Sequence, residues 1–238
     1  INAMPEYLEN ITAFVSEEVG IAFTQADDLF DATQNVDGFV RVSAAIKTAA
    51  VNLSKMSNDL RLLSSGPKAG IGEINLPAKQ NGSSIMPGKV NPVIPEVVSQ
   101  VAFRVIGNDL TITMAAESGQ LELNAFEPII FHSLFESIDC LTHAVATLTA
   151  NCITGIQANE MICYKQVEES AGIATALCPT IGYQKASAIA KESLETGKTV
   201  RELVLEKGLL TIAETDSILD LKHMAGIPAA ILLRDKVI

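Results

Sequence analysis

Phe39, Val42, Ile46, Ala49, Leu53, Met56, Leu60 and Leu63 alternate steps of three and four across 25 positions. An apolar repeat averaging 3.5 residues is a heptad seam, and a seam this long demands a long helix packed at a shallow angle against others. The spacing predicts a helix over 37–65, and with it a bundle. Helical patterning continues on both sides. Helices are predicted over 5–18, with Pro5 near the first turn, and over 24–33, opened by a capping box from Thr24 to Asp27. Two more long ones are expected over 93–118 and 126–152. The first carries Val97, Val101 and Val105 on one face with Val98, Ala102 and Ile106 beside them. So broad a stripe calls for burial on more than one side. In the second, His132, Glu136, Asp139 and His143 form one narrow polar stripe, read as a solvated or hydrogen-bonded face rather than a catalytic one. The remainder is apolar, which places this helix in the middle of the bundle.

After Gly155 the helices shorten, to about 159–169, 181–196, 200–207 and 212–221. Full capping boxes open two of them, at Thr199–Glu202 and Thr211–Glu214, and Gly197 and Gly208 occupy C′ positions. The expected fold class is therefore all-α. Residues 1–156 form a long-helix bundle and residues 157–238 a small helical C-terminal subdomain, with no internal repeat.

Composition removes several function classes. With 48% hydrophobic residues the chain can bury enough surface to offset its conformational entropy, so disorder is excluded. No apolar run is long enough to cross a membrane. The net charge of −11, with Lys and Arg scattered, argues against nucleic-acid binding. Only 19% of residues are charged, little for a lone globule of this size, and this points to a homo-oligomer. Cys140, Cys152, Cys163 and Cys178 lack CxxC spacing and read as reduced, buried thiols of a cytoplasmic protein. His132, His143 and His223 have no companions at metal-ligand spacing, so neither a protein-built metal site nor a cofactor is expected. The chain opens Ile1-Asn2-Ala3 rather than with Met, and a preceding segment is expected.

Packing explains all of this except one stretch. From Gly66-Pro67 to Pro92 the sequence is rich in Gly, Pro, Ser and Asn, with only a short strand predicted at 71–76. Loops this long are uncommon in compact domains and are usually functional or disordered. Within it, Gly82-Ser83-Ser84-Ile85-Met86-Pro87-Gly88-Lys89-Val90-Asn91-Pro92 concentrates two hydroxyls, an ammonium, a carboxamide and two glycines directly before a helix. The helix N-terminus adds unpaired N–H groups and the positive end of a dipole. Together they can form a carboxylate-binding cradle. A glycine-rich surface linker with an incidental lysine is the alternative.

The same eleven residues resemble the signature of the fumarase/aspartase superfamily. The likeness extends to Asn58-Asp59-Leu60-Arg61-Leu62-Leu63-Ser64-Ser65-Gly66-Pro67, to Gly72-Glu73-Ile74-Asn75-Leu76-Pro77, to Gly107-Asn108-Asp109 and to Glu122-Leu123-Asn124. It covers nearly the whole chain, but only the second half of a typical member. The resemblance implies a long-helix bundle of the fumarase/aspartase type, a small dicarboxylate substrate, a cytoplasmic homotetramer and a lyase reaction. The Pro95-Glu96-Val97-Val98 run and Ala115-Ala116-Glu117-Ser118-Gly119-Gln120-Leu121 favour the aspartase branch, which eliminates ammonia from L-aspartate to give fumarate. Class II fumarase is the second enzymatic reading, and a non-catalytic helical assembly module is a third.

Roles follow from the resemblance residue by residue. Ser83, as its alkoxide, would take the proton. Lys89 and Asn91 would bind substrate carboxylates, and Ser84 would position the loop. Gly82 and Gly88 would supply permissive turns for a closing lid, mobile without ligand. Glu96, in the first turn of the following helix, suits the dipole by itself; the resemblance would also pair it with a histidine from another segment. In the family three separated regions from different subunits build each site. Only the third is present here, so this chain alone is expected to be inactive.

Overall fold

The computed structural model describes residues 2–226, so residues 227–238 of the expected C-terminal subdomain lie outside the described residues. Two compact units emerge. One takes the residues up to Ser64 together with Leu76–Ile156; the other takes Ser65–Asn75 and the described residues from Gln157 onward.

The first unit holds α1 (Pro5–Val19), α2 (Leu29–Gln34), α3 (Asp37–Leu63), α4 (Val93–Glu117) and α5 (Glu127–Leu148). At 27 residues α3 is roughly 40 Å long. Next to it α4 runs antiparallel, and α5 runs antiparallel to α4 and so parallel to α3. Ser43 near the start of α3 bonds Asp109 near the end of α4, and Asn108 of α4 bonds Ser133 and Ser137 of α5. The central helix is α4, and three apolar clusters run along it. Val36, Ile112, Ala115, Ile130 and Leu134 meet at one end. Ala50, Ala102 and Val105 follow. Val98, Ala144, Leu148 and Cys152 close the other end.

The deepest face of α3 is not the heptad seam itself but the row beside it. Ser43, Ala50, Ser54 and Ser57 are buried, while Phe39, Val42 and Met56 are exposed. Small residues let α3 and α4 approach closely, and hydropathy does not mark such a row. Ile46, Leu53 and Leu60 of the seam pack on the clusters from its flank. Similarly, Val98, Ala102 and Val105 of α4 are buried, whereas Val97 and Ile106 are exposed, together with Phe103, Leu110 and Met114. On α5, Phe135, Ile138 and Val145 are exposed as well.

Other expectations shift locally. The short second helix begins at Leu29, because Asp28 rather than Thr24 caps it, accepting bonds from the N–H groups of Phe30 and Asp31 at 2.9 and 3.1 Å. The end of the 126–152 helix widens into a π-helical turn over Thr149–Ile153. Of the polar stripe on α5, His132, Asp139 and His143 are exposed. Glu136 instead ties α5 to α4, accepting from Arg104 Nε at 2.9 Å and Asn108 Nδ2 at 2.7 Å. The Asn108 amide, and after it Arg104, holds the Glu136 carboxyl below the usual glutamate range.

The second unit holds β1 (Ile74–Asn75), paired antiparallel with β2 (Gln157–Ala158), then α6 (Glu160–Glu168), a 3₁₀ turn Ala171–Leu177, α7 (Cys178–Ile181), α8 (Tyr183–Thr196), α9 (Val200–Glu206), α10 (Ile212–Ile218) and α11 (Leu221–Met224). The predicted 71–76 strand thus shortens to two residues. Asn159 ties its start, donating from Nδ2 to the Gly72 carbonyl at 2.6 Å. Both capping boxes form, with the Thr199 and Thr211 N–H groups each 2.8 Å from the Glu202 and Glu214 carboxylates. Ile173, Leu177, Ile189, Val200, Leu203, Val204 and Leu219 make the core. Among the four cysteines, all free, only Cys152 is buried, where desolvation pushes its thiol up; the other three are half-buried.

Candidate active site

The signature residues lie in the long connection between α3 and α4. Asn81 and Val90 pair as an isolated antiparallel bridge, and the Gly82 N–H donates to the Lys89 carbonyl at 2.7 Å. These bonds pinch the loop at its base and bring Gly82, Lys89 and Asn91 together. Asn91 Nδ2 reaches toward the Gly82 carbonyl at 3.5 Å. A β-carbon on residue 82 would stand 2.9 Å from the Lys89 carbonyl oxygen and 3.0 Å from Asn91 Oδ1. Only glycine fits there. Gly88 has φ +79°, in the left-handed region, and turns the chain back toward the bridge.

Above the base, the Ser83 hydroxyl oxygen accepts from two backbone N–H groups, those of Ile85 at 3.1 Å and Met86 at 3.2 Å. Ser84, Ile85, Met86, Pro87, Gly88 and Lys89 are exposed, and Ile85 at the tip is 87% exposed. Among the described residues Lys89 forms no ion pair, so its ammonium is available to an anion. The loop ends where the Asn91 carbonyl accepts from Val93 N–H at 2.9 Å and α4 begins.

Glu96, in the first turn of α4, faces Arg61 of α3, with Nη2 3.9 Å from Oε1. Among the described residues its charged partner is therefore an arginine at the end of the long helix. No role for Arg61 follows from the sequence alone. The only signal for it was its place in the Asn58–Pro67 run. A polar set around buried Ser43 and Asp109 has no assigned role in the sequence either. Asp109 on α4 accepts from Ser43 Oγ at 2.8 Å and from Lys47 Nζ, and it locks α3 against α4 near their far ends. Its only mark in the sequence was the place of Asp109 in the Gly107-Asn108-Asp109 run.

Chemically, the loop combines an acceptor oxygen surrounded by N–H donors, an unpaired ammonium, a carboxamide and a helix N-terminus. Such a set can bind a small carboxylate and stabilise negative charge. Among the described residues no three His, Cys, Asp or Glu side chains gather as a metal site would require, and no helix is long and apolar enough to cross a membrane.

A family model described as Lyase matches residues 1–107, and one described as Fumarase C C-terminus matches residues 173–226. The chain belongs to the fumarase/aspartase superfamily. It is 53% identical to an aspartate ammonia-lyase of Helicobacter pylori over 94% of its own length and 48% of the relative's. With the aspartate ammonia-lyase of Bacillus subtilis it shares 49% identity over 92% of the chain and 46% of that protein. Among solved structures it resembles a fumarate lyase:delta crystallin from Brucella melitensis (TM-score 0.89, 50% identity, covering 96% of this chain and 49% of that one). A class II fumarase from Schistosoma mansoni is more distant, with TM-score 0.84 and 32% identity over 92% of this chain and 49% of that one. The chain spans about half the length of the curated relatives it matches.

Proposed function

We propose that this chain is the signature-bearing part of an aspartate ammonia-lyase, which eliminates ammonia from L-aspartate to give fumarate. One observation carries the reading: the pinched 82–92 loop, with its free ammonium and N–H-lined hydroxyl, occurs on a chain about half identical to aspartate ammonia-lyases. Deprotonation at the carbon beside the β-carboxylate leaves a dianionic aci-carboxylate, so the site must hold charge as it develops. Ser83 is the base. An ordinary serine hydroxyl is far too weak an acid to supply an alkoxide near neutrality. The N–H groups of Ile85 and Met86 aimed at its oxygen favour the anion. The substrate proton passes to this oxygen, the C–N bond then breaks, and ammonia leaves.

Lys89 supplies a compact positive charge for a substrate carboxylate, and Asn91 supplies a carboxamide beside it. Ser84 orients the loop, while Gly82 and Gly88 shape it to close over substrate and exclude water. Glu96, held at the start of α4, supports the site from below. The chemistry belongs to the bundle within residues 1–156, while Ser65–Asn75 and the described residues from Gln157 onward make a separate helical unit. The working protein is a cytoplasmic homotetramer of longer chains, and these 238 residues alone are inactive, because the donors of the other two family regions are not among them. Class II fumarase is the second reading, supported by the likeness to the Schistosoma mansoni enzyme. Replacing Ser83 by Ala in the intact protein tests the assignment. A lyase should lose most of its kcat with its circular dichroism unchanged, whereas retained turnover would remove Ser83 from the chemistry.

A further inference from the structure

The loop carries a chemical liability of its own, independent of the lyase reading. Asn81-Gly82 is the one Asn-Gly step in the sequence; every other asparagine precedes a residue with a side chain. Glycine at 82 is enforced by the tight contact with Lys89 and Asn91, and Asn81, exposed, stands immediately before it. We propose that Asn81 is a site of spontaneous backbone modification, through a cyclic imide, and that the hydrogen bond from Gly82 to Lys89 controls its rate.

The reaction needs only water. The Gly82 nitrogen attacks Cγ of Asn81, forming an N–Cγ bond. The Cγ–Nδ2 bond breaks, and Nδ2 departs as ammonia with the proton that the glycine nitrogen gives up. Water then opens the imide at either carbonyl. One opening leaves aspartate at position 81. The other leaves isoaspartate, in which the main chain runs through the former side chain.

Two features govern the first step. A side chain on the following residue hinders the approach of its nitrogen, and Gly82 has none. Against that, the Gly82 N–H is committed to the Lys89 carbonyl at 2.7 Å, and Asn81 is itself held in the bridge to Val90. Ring closure requires the first bond to open and the Asn81 backbone to leave its extended pairing. Modification at Asn81 is thus a record of how often the base of the loop comes apart. Either product adds a negative charge beside the Lys89 strand. Isoaspartate also lengthens the main chain by one carbon, which the Asn81–Val90 bridge cannot accommodate.

The test is peptide mapping of the intact protein after prolonged incubation in warm, mildly alkaline buffer, natively folded and in urea. The amide-to-acid mass gain and enzymatic isoaspartate labelling serve as readouts. Modification should appear at Asn81 ahead of every other asparagine. It should be severalfold slower in the folded protein than in urea, where the Gly82–Lys89 bond is gone, and the labelled peptide should vanish in Asn81→Gln. Faster modification at any other asparagine, or an unmodified Asn81 in urea, would overturn the site. Equal rates in the folded and unfolded protein would overturn the control by the hydrogen bond.

Discussion

A methyl group at position 82 would meet the Lys89 carbonyl at 2.9 Å, and that backbone atom cannot step aside without moving the strand that carries the lysine. Gly82→Ala is therefore expected to cost activity while leaving the helices intact, a split that kcat/KM and circular dichroism together would reveal. Lys89→Met should raise KM for the dicarboxylate more than about tenfold, because a charged contact of roughly 1.5–3 kcal/mol is lost. An unchanged KM would remove Lys89 from the cradle. At this scale the sequence was most informative. Ser83, Lys89, Asn91 and both glycines stand out because packing has no use for hydroxyls, an ammonium and glycines in one exposed run. The partners of these groups were not legible. The Ile85 and Met86 donors to Ser83 are backbone groups, and the Arg61–Glu96 approach depends on how two helices sit.

The two helices opened by full capping boxes were equally readable, whereas α2, capped by Asp28, was not. The capping boxes at Thr199 and Thr211 form as their spacing predicts, because each Thr and its Glu satisfy one another's backbone N–H. Replacing either Thr by Ala should destabilise the second unit by about 1 kcal/mol, read from chemical denaturation. The backbone N–H of each Thr, and after it the Thr hydroxyl, holds the Glu202 and Glu214 carboxyls below the usual range. A depressed carboxyl contributes stability above its unfolded value, and that contribution fades as pH falls through the folded one. Acid titration followed by circular dichroism should therefore show a flatter acid limb in a Glu202→Gln, Glu214→Gln double variant. A limb as steep as in the parent would contradict the linkage. Packing faces were harder to read. The row of α3 that lies deepest is Ser43, Ala50, Ser54 and Ser57, and small or polar residues leave no hydropathy pattern. The predicted seam is the flank of that face. The π-helical turn at Thr149–Ile153 likewise corresponds to no residue that a pattern would single out.

Across the first unit, apolar side chains remain uncovered on all three long helices: Phe39, Val42 and Met56 of α3, Phe103, Leu110 and Met114 of α4, and Phe135, Ile138 and Val145 of α5. Contiguous exposed apolar surface marks an interaction face, and at roughly 25 cal/mol per Å² its burial favours assembly. The 238-residue chain is expected to self-associate through these helices, as light scattering would show, and a monodisperse monomer would contradict it. It is also expected to be inactive alone and to regain some turnover when mixed with the segment that carries the other regions of the site. The most direct test of the whole account is a comparison of fumarate formation from L-aspartate and from L-malate by the intact protein, followed by ultraviolet absorbance. Fumarate should accumulate from L-aspartate with release of ammonia, and L-malate should be turned over far more slowly. Dominant turnover of L-malate, or fumarate from neither substrate, would contradict it.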